Sequence, residues 1–258
     1  YLTELGVKHE RVFMNTFWEH PATYEYLRGP LTDKLGPIIE ISGPLGFEEL
    51  VRSKGMFPSR VKRFCTEELK VKPMQKYINA LVDQGEDILN CVGIRRAESK
   101  ARSEMAEWEF SEGFDCEVWR PLVTWTAEDV AAIHKRHGLE MNPLYAMGAT
   151  RVGCWPCIHS RKTEIALVAR VDPERIVQIG KIERETTDVA RAKAAAKGEE
   201  LKWERSMFSY HGGDNKHVVM PIEQAVEWAN SKRGEWQPPG AGDGCMRHGI
   251  CETSGDEE

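Results

Sequence analysis

A chain of 258 residues has room for one large domain, or a domain with an appendage, around a sizeable core. Its net charge of −6 argues against wholesale coating of nucleic acid, which is driven by Lys and Arg on phosphate. The 41% hydrophobic and 29% charged makeup is that of an ordinary globular protein, and no apolar run approaches the ~20 residues that span a membrane.

In chain order, Arg11-Val-Phe-Met14 reads as a buried strand ending at Asn15-Thr16. A helix follows from Pro21 through Tyr24 and Leu27. Pro37-Ile-Ile-Glu-Ile41 is a second strand, and Phe47 to Val51 sits in a short helix. Pro73 fits the first turn of a helix carrying Tyr77, Ile78, Leu81 and Val82. Ile88–Val92 is a third strand, in which Cys91 is expected as a small core residue. Strands alternating with helices indicate an α/β fold with a doubly wound, mostly parallel sheet. In such sheets ligands bind beyond the carboxyl ends of the strands, where Asn15-Thr16 and the segment after Val92 emerge. Thr126 with Asp129 forms a capping box for a helix through Val130 and Ile133. Asp172-Pro173-Glu174 opens a longer helix through Ile176, Ile179 and Ile182, into an Ala- and Lys-rich stretch ending at Gly198. Ile222 to Trp228 is one more helix. Gln237–Gly244 is a linker that delivers Cys245 and Cys251, and the acidic tail from Ser254 is expected to fray.

The segment Gly93-Ile-Arg-Arg-Ala-Glu-Ser-Lys-Ala-Arg102 carries four basic side chains within ten residues, straight after a strand. Glycine lets a ligand come close to the backbone, and arginine forks grip phosphate or sulfate oxygens in pairs. The competing reading is a solvated charged turn. A second basic cluster comprises Arg60, Lys62, Arg63, Lys70, Lys72 and Lys76. The seven cysteines are Cys65, Cys91, Cys116, Cys154, Cys157, Cys245 and Cys251. An odd count with no secretory-signal pattern points to the cytoplasm, where spaced cysteines bind metal or do redox work more often than they form disulfides. Cys154-x-x-Cys157 has the spacing for two ligands on one metal or cluster, for a dithiol pair, or for a buried thiol pair.

Taken in order, several segments resemble the phosphoadenosine phosphosulfate (PAPS) reductase family, in the adenine-nucleotide alpha-hydrolase-like, PP-loop superfamily. They are Arg63-Phe-Cys-Thr66 with Leu69-Lys70, the Gly93–Arg102 segment, Trp119-Arg-Pro-Leu122, Trp125–Val130, Asn142-Pro-Leu-Tyr145 and Gly153-Cys-Trp-Pro-Cys157. The resemblance runs from about Val12 to Thr163. It implies a nucleotide-binding domain over 1–165 and a helical, cysteine-bearing extension over 166–258. The family's phosphate loop is absent, and Tyr1-Leu-Thr-Glu-Leu5 reads like the tail of the helix that follows it. The first strand and phosphate loop are therefore expected to be missing from a fragment, the alternative being natural loss.

By the same resemblance, Asn15, Thr16, Lys70, Arg95, Arg96, Glu98, Ser99 and Arg102 are candidate contacts of an adenine nucleotide (PAPS, adenosine phosphosulfate, or ATP with Mg). Glu98 could instead orient an arginine. Cys65, Cys154, Cys157, Cys245 and Cys251 are candidate metal ligands, for a 4Fe-4S cluster before zinc. In the iron–sulfur branch a Cys-Cys pair precedes the Cys-x-x-Cys, and here Thr66 stands in the second place of that pair. Cys245-Met-Arg-His248 keeps the Cys-x-x-His spacing of the reductases' C-terminal nucleophile, so Cys245 is the candidate catalytic thiol. The implied activity is sulfonucleotide reduction by thiol attack, with a thioredoxin-like reductant. The alternatives are ATP-dependent sulfur transfer to nucleic acid, toward which Arg63-Phe-Cys-Thr66 leans, and a non-catalytic scaffold with structural zinc. No membrane partner is expected, and a homo-oligomer is left open.

Overall fold

The computed structural model describes residues 1–59, 61–211, 217–231, 245–247 and 250–252. The chain is mixed α/β, the class expected. Strand β1 (Val12–Asn15) leads into α1 (Pro21–Tyr26), which has proline in its first turn and a cap at His20, whose Nδ1 accepts from the Ala22 amide at 3.1 Å. A π-turn over Leu27–Leu31, with Pro30 inside, leads to α2 (Thr32–Leu35) and then to β2 (Ile39–Ser42). The β1–β2 pair is parallel, with Val12 beside Ile39 and Asn15 beside Ser42. Next come α3 (Phe47–Lys54), the single turn α4 (Phe64–Thr66), a π-turn over Glu67–Val71, and α5 (Lys72–Val82). Strand β3 (Leu89–Cys91) follows, then β4 (Trp108–Ser111) and β5 (Cys116–Trp119), in the order β3–β5–β4. The β3–β5 pair is parallel and the β4–β5 pair is an antiparallel hairpin.

Helix α6 (Ala127–Arg136) opens on the expected capping box: the Asp129 amide donates to Thr126 Oγ1 at 3.2 Å, and the Thr126 amide to Asp129 Oδ2 at 2.8 Å. After α7 (Pro143–Ala146), the extension is built from α8 (Lys162–Val171), α9 (Pro173–Ala195), the hairpin β6 (Phe208–His211) and β7 (His217–Met220), and α10 (Ile222–Asn230). A last hairpin joins β8 (Cys245–Arg247) to β9 (Ile250–Glu252).

Several expectations change here. Helix α8 and strands β4 and β5 were not expected, although the alternations Trp108-Glu-Phe-Ser111 and Cys116-Glu-Val-Trp119, turning at Gly113, carry the hairpin. His211 and His217 lie in strands. Cys91 is not a core residue. On its face of the sheet the paired rows are Cys91–Trp119–Trp108 and Leu89–Glu117–Phe110, and these side chains stay partly or fully exposed, Leu89 at 42% and Phe110 at 57%. Cys116 and Val118 point the other way and are buried. The Gln237–Gly244 linker, the Ser254–Glu258 tail and Arg60 lie outside the described residues.

The main core does not respect the 165/166 boundary. Trp18, Phe47, Leu50, Val51 and Leu69 pack with Ile165, Ile179, Ile182, Met207 and Ile222 in one cluster. Gly180 sits mid-helix, at a cost of about 1 kcal/mol relative to alanine, because α10 comes close. A Cβ there would lie 2.7 Å from Glu223 Oε1 and 3.5 Å from Ile222 Cγ2. Beside it the buried Glu183 ties the extension together. It accepts from Ser206 Oγ at 2.7 Å, the Met207 amide at 3.0 Å and the Ile222 amide at 3.0 Å. Burial pushes its pKa up, and these three donors pull against that rise.

Glu183→Ala leaves two buried amides without acceptors and is expected to destabilise the fold by about 3 kcal/mol, each buried unsatisfied group costing roughly 1–3 kcal/mol. Urea denaturation measures this, and a loss below about 1 kcal/mol contradicts the clamp.

Candidate functional site

Two groups of the expected residues form, at different places. The first gathers at the carboxyl end of β1. Asn15 is committed to the fold: its Nδ2 donates to Glu40 at 3.1 Å, and its Oδ1 accepts from the Phe17 amide at 2.9 Å and from Tyr24 Oη at 3.0 Å. Thr16, fully buried, donates to Glu19 Oε1 at 2.7 Å and lies 3.9 Å from Cys154 Sγ. Glu19 and Cys154 form an antiparallel bridge, and the Trp155 amide donates to the Trp18 carbonyl at 2.8 Å. Asn15 and Thr16 thus hold the cysteine loop and the strand end.

Around Cys154 stand Cys157, Cys65 and two cations. Burial pushes the Cys154 thiol up to about 11, with Lys70 pulling it down and Cys157 and Glu19 adding to the rise. Burial, then the neighbouring Cys157, also raises Cys65. Exposed Lys70 leaves the π-turn before α5 within electrostatic reach of Cys154. Arg151, which the sequence reading missed, hydrogen-bonds Cys157 and pairs at 3.0 Å with the buried Glu164, which accepts the Arg161 amide at 2.8 Å. Arg151 Nη2 is buried, with no hydrogen-bond partner among the described residues. A small cavity beside it is lined by Thr150, Ser160 and Glu164 as well as Arg151 and Cys154.

Among the described residues the donor set is incomplete for a metal centre. Three thiols come together, Thr66 occupies the place of a fourth, and the side chains of Cys245 and Cys251 lie outside the described residues. Among the described residues no group of three His, Cys, Asp or Glu is arranged to hold an ion. Raised pKa values also make Cys65 and Cys154 poor nucleophiles, since the thiolate is the reactive form.

The second group is the turn after β3. Arg95 is 4% exposed, yet among the described residues its guanidinium makes only long contacts: Nη1 to the Trp125 carbonyl at 3.4 Å and Nε to Glu98 Oε1 at 3.7 Å. Glu98 is also drawn to Arg102 by a short ion pair. Arg96 is exposed and spends its fork on the Met105 carbonyl, at 3.0 Å from both Nε and Nη2. Ser99 supplies the extended residue between two 3-10 turns, and its carbonyl accepts from the Arg102 amide at 2.8 Å. The backbone of β9 packs on the Arg96–Glu98 turn. Tyr145 links the groups: its phenol feels the Arg95 charge, and its ring packs on the cluster that contains Trp155.

Residues 2–160 match the model of the phosphoadenosine phosphosulfate reductase domain, well over half the chain. The chain belongs to that family. It is 40% identical over 159 residues to an uncharacterised 37.8 kDa protein of Escherichia phage 186, covering 59% of this chain and 47% of the relative. It is 35% identical over 97 residues to the adenosine 5'-phosphosulfate reductase of Burkholderia cepacia, covering 38% of this chain and 36% of that enzyme. The chain thus spans less than half the length of these relatives. Among solved structures, the PAPS reductase of Candida auris in its phosphate complex aligns with a TM-score of 0.41 at 20% identity, over 56% of this chain and 68% of that one. No helix among the described residues is long and apolar enough to cross a membrane.

Near neutral pH, iodoacetamide is expected to reach exposed Cys91 first and half-buried Cys154 about a hundredfold more slowly, through lower exposure and low thiolate content. Peptide mass spectrometry over time gives the order, and Cys154 reacting first would contradict this placement.

Proposed function

We propose that this chain handles a sulfonucleotide of the adenosine 5'-phosphosulfate or PAPS kind, with Arg95 as the principal grip on its phosphosulfate end. The observation that carries this is the buried Arg95 guanidinium, held only by contacts of 3.4 and 3.7 Å. A buried charge is costly unless well paired, and a phosphate or sulfate supplies the two parallel acceptors its fork is shaped for. The names of several relatives and the matched family support the substrate class. Arg102 and Ser99 complete the turn, and Glu98 holds it.

In the reductive reading a cysteine thiolate attacks the nucleotide's sulfur, the bond to phosphate breaks, and the nucleotide leaves. The enzyme thiosulfonate that remains is resolved by a thioredoxin-like thiol. Cys245 is the proposed nucleophile, on the hairpin whose other strand, β9, packs on the Arg96–Glu98 turn.

One observation favours a second reading. Thr66 at the second position of the pair, together with exposed Lys62, Arg63 and Lys70, suits sulfur transfer to a nucleic acid. A steep fall in nucleic-acid binding with salt supports that reading, and sulfite release from adenosine 5'-phosphosulfate supports the first.

Arg95→Ala is expected to weaken adenosine 5'-phosphosulfate binding at least about tenfold by calorimetry, and Arg95→Lys to restore little, because an ammonium lacks the paired donors. Unchanged affinity in Arg95→Ala removes the assignment.

A further inference from the structure

We propose that the extension beyond the family-matched segment supplies two positioning residues, Asp172 and Arg175, which set the conformation of the Cys154–Cys157 loop. The match ends at residue 160, and both residues lie at the start of α9.

The Arg175 guanidinium lies 4.2 Å above the centre of the Trp18 indole, and its Nη2 donates to the Glu19 carbonyl at 3.3 Å. Trp18 is 1% exposed, and its own Nε1 donates to the Pro156 carbonyl, inside the cysteine loop, at 3.0 Å. On the other side of that loop the Trp155 Nε1 donates to Asp172 Oδ2 at 3.1 Å. Asp172 also caps α9, its Oδ1 accepting from the Arg175 amide at 3.1 Å. The two indoles therefore cross-link the loop to the β1 end and to the first turn of α9. Between them Cys154 is bridged to Glu19 and lies 3.9 Å from Thr16 Oγ1.

Packing alone does not require a cation there. The Arg175 side chain is only 11% exposed and burial pushes its pKa down, with Asp172 Oδ2 at 3.8 Å from Nε pulling against that fall, so the charge is held at a cost only partly offset. A hydrocarbon of similar volume would fill the space. What the guanidinium adds is direction: a face for the indole and an N–H for the Glu19 carbonyl, which fix the residue bridged to Cys154. In the first 160 residues alone the cysteine loop lacks one of its walls.

This inference rests on the proposed function only for what the loop serves, and its test uses no nucleotide. Alkylation rates of each cysteine are measured on the reduced full chain with iodoacetamide, at one pH, by peptide mass spectrometry. The variants are Arg175→Met, which keeps volume without charge, and Arg175→Lys, which keeps a cation over the indole. Arg175→Met is expected to speed Cys154 by about tenfold and Arg175→Lys by less, as befits loss of a desolvated cation–π contact. Cys116, buried in the other sheet, reports global loosening and stays at the parent rate. An unchanged Cys154 rate in Arg175→Met overturns the proposal, and so does a rise matched by Cys116. If the rates behave as expected while adenosine 5'-phosphosulfate fails to bind, the proposed function falls and the positioning role stands.

Discussion

The crossing of the β1 end and the cysteine loop is the constraint on which the remaining structure depends. Trp18 and Glu19 meet Cys154, Trp155 and Pro156 through a strand-like bridge, a 2.8 Å backbone bond and a 3.0 Å indole bond. Once that contact forms, Trp18 becomes the wall against which Phe47 packs, at 4.8 Å between rings, and onto which Arg175 is laid. The contact joins residues some 136 apart in sequence, an entropically costly closure that only a large shared core can offset. The core cluster provides it, drawing on both sides of residue 165.

The two candidate groups differ in chemical character because their surroundings differ. The thiols are half-buried, and burial pushes Cys65 and Cys154 up even with Lys70 and Arg151 nearby. The Arg95 turn encloses a cation whose own partners are distant. Tyr145 lies between the two groups, and the β9 backbone packs on the second.

The parallel pairs β1–β2 and β3–β5 stand in separate sheets among the described residues, and one face of β3–β5–β4 carries Leu89, Trp108 and Phe110 in the open. Parallel strands are ordinarily covered on both sides, which is why an apolar run such as Ile88–Val92 reads as buried. The run does form a strand; its burial depends on what lies across it, and no local pattern encodes that. The β4–β5 hairpin was legible from its alternation and turn glycine, whereas α8 was masked by the loop-like residues before it.

What the sequence determined by itself was local and chemical. Proline and capping residues placed the starts of α1, α6 and α9; apolar runs placed β1, β2 and β3; the ordered motifs placed the family. Those signals act over a few residues, so they survive without tertiary context. The tertiary structure alone decided which motif residues the fold itself uses up. Asn15 and Thr16 were absorbed into hydrogen bonds of the fold, Arg96 turned to a backbone carbonyl, and Arg95 was left buried with long contacts. It also brought in Glu19, Arg151 and Arg175, which no motif marked, and gave the capping Asp172 a second partner in Trp155. A side chain's partners are set by where distant segments cross, and spacing along the chain carries no record of that crossing.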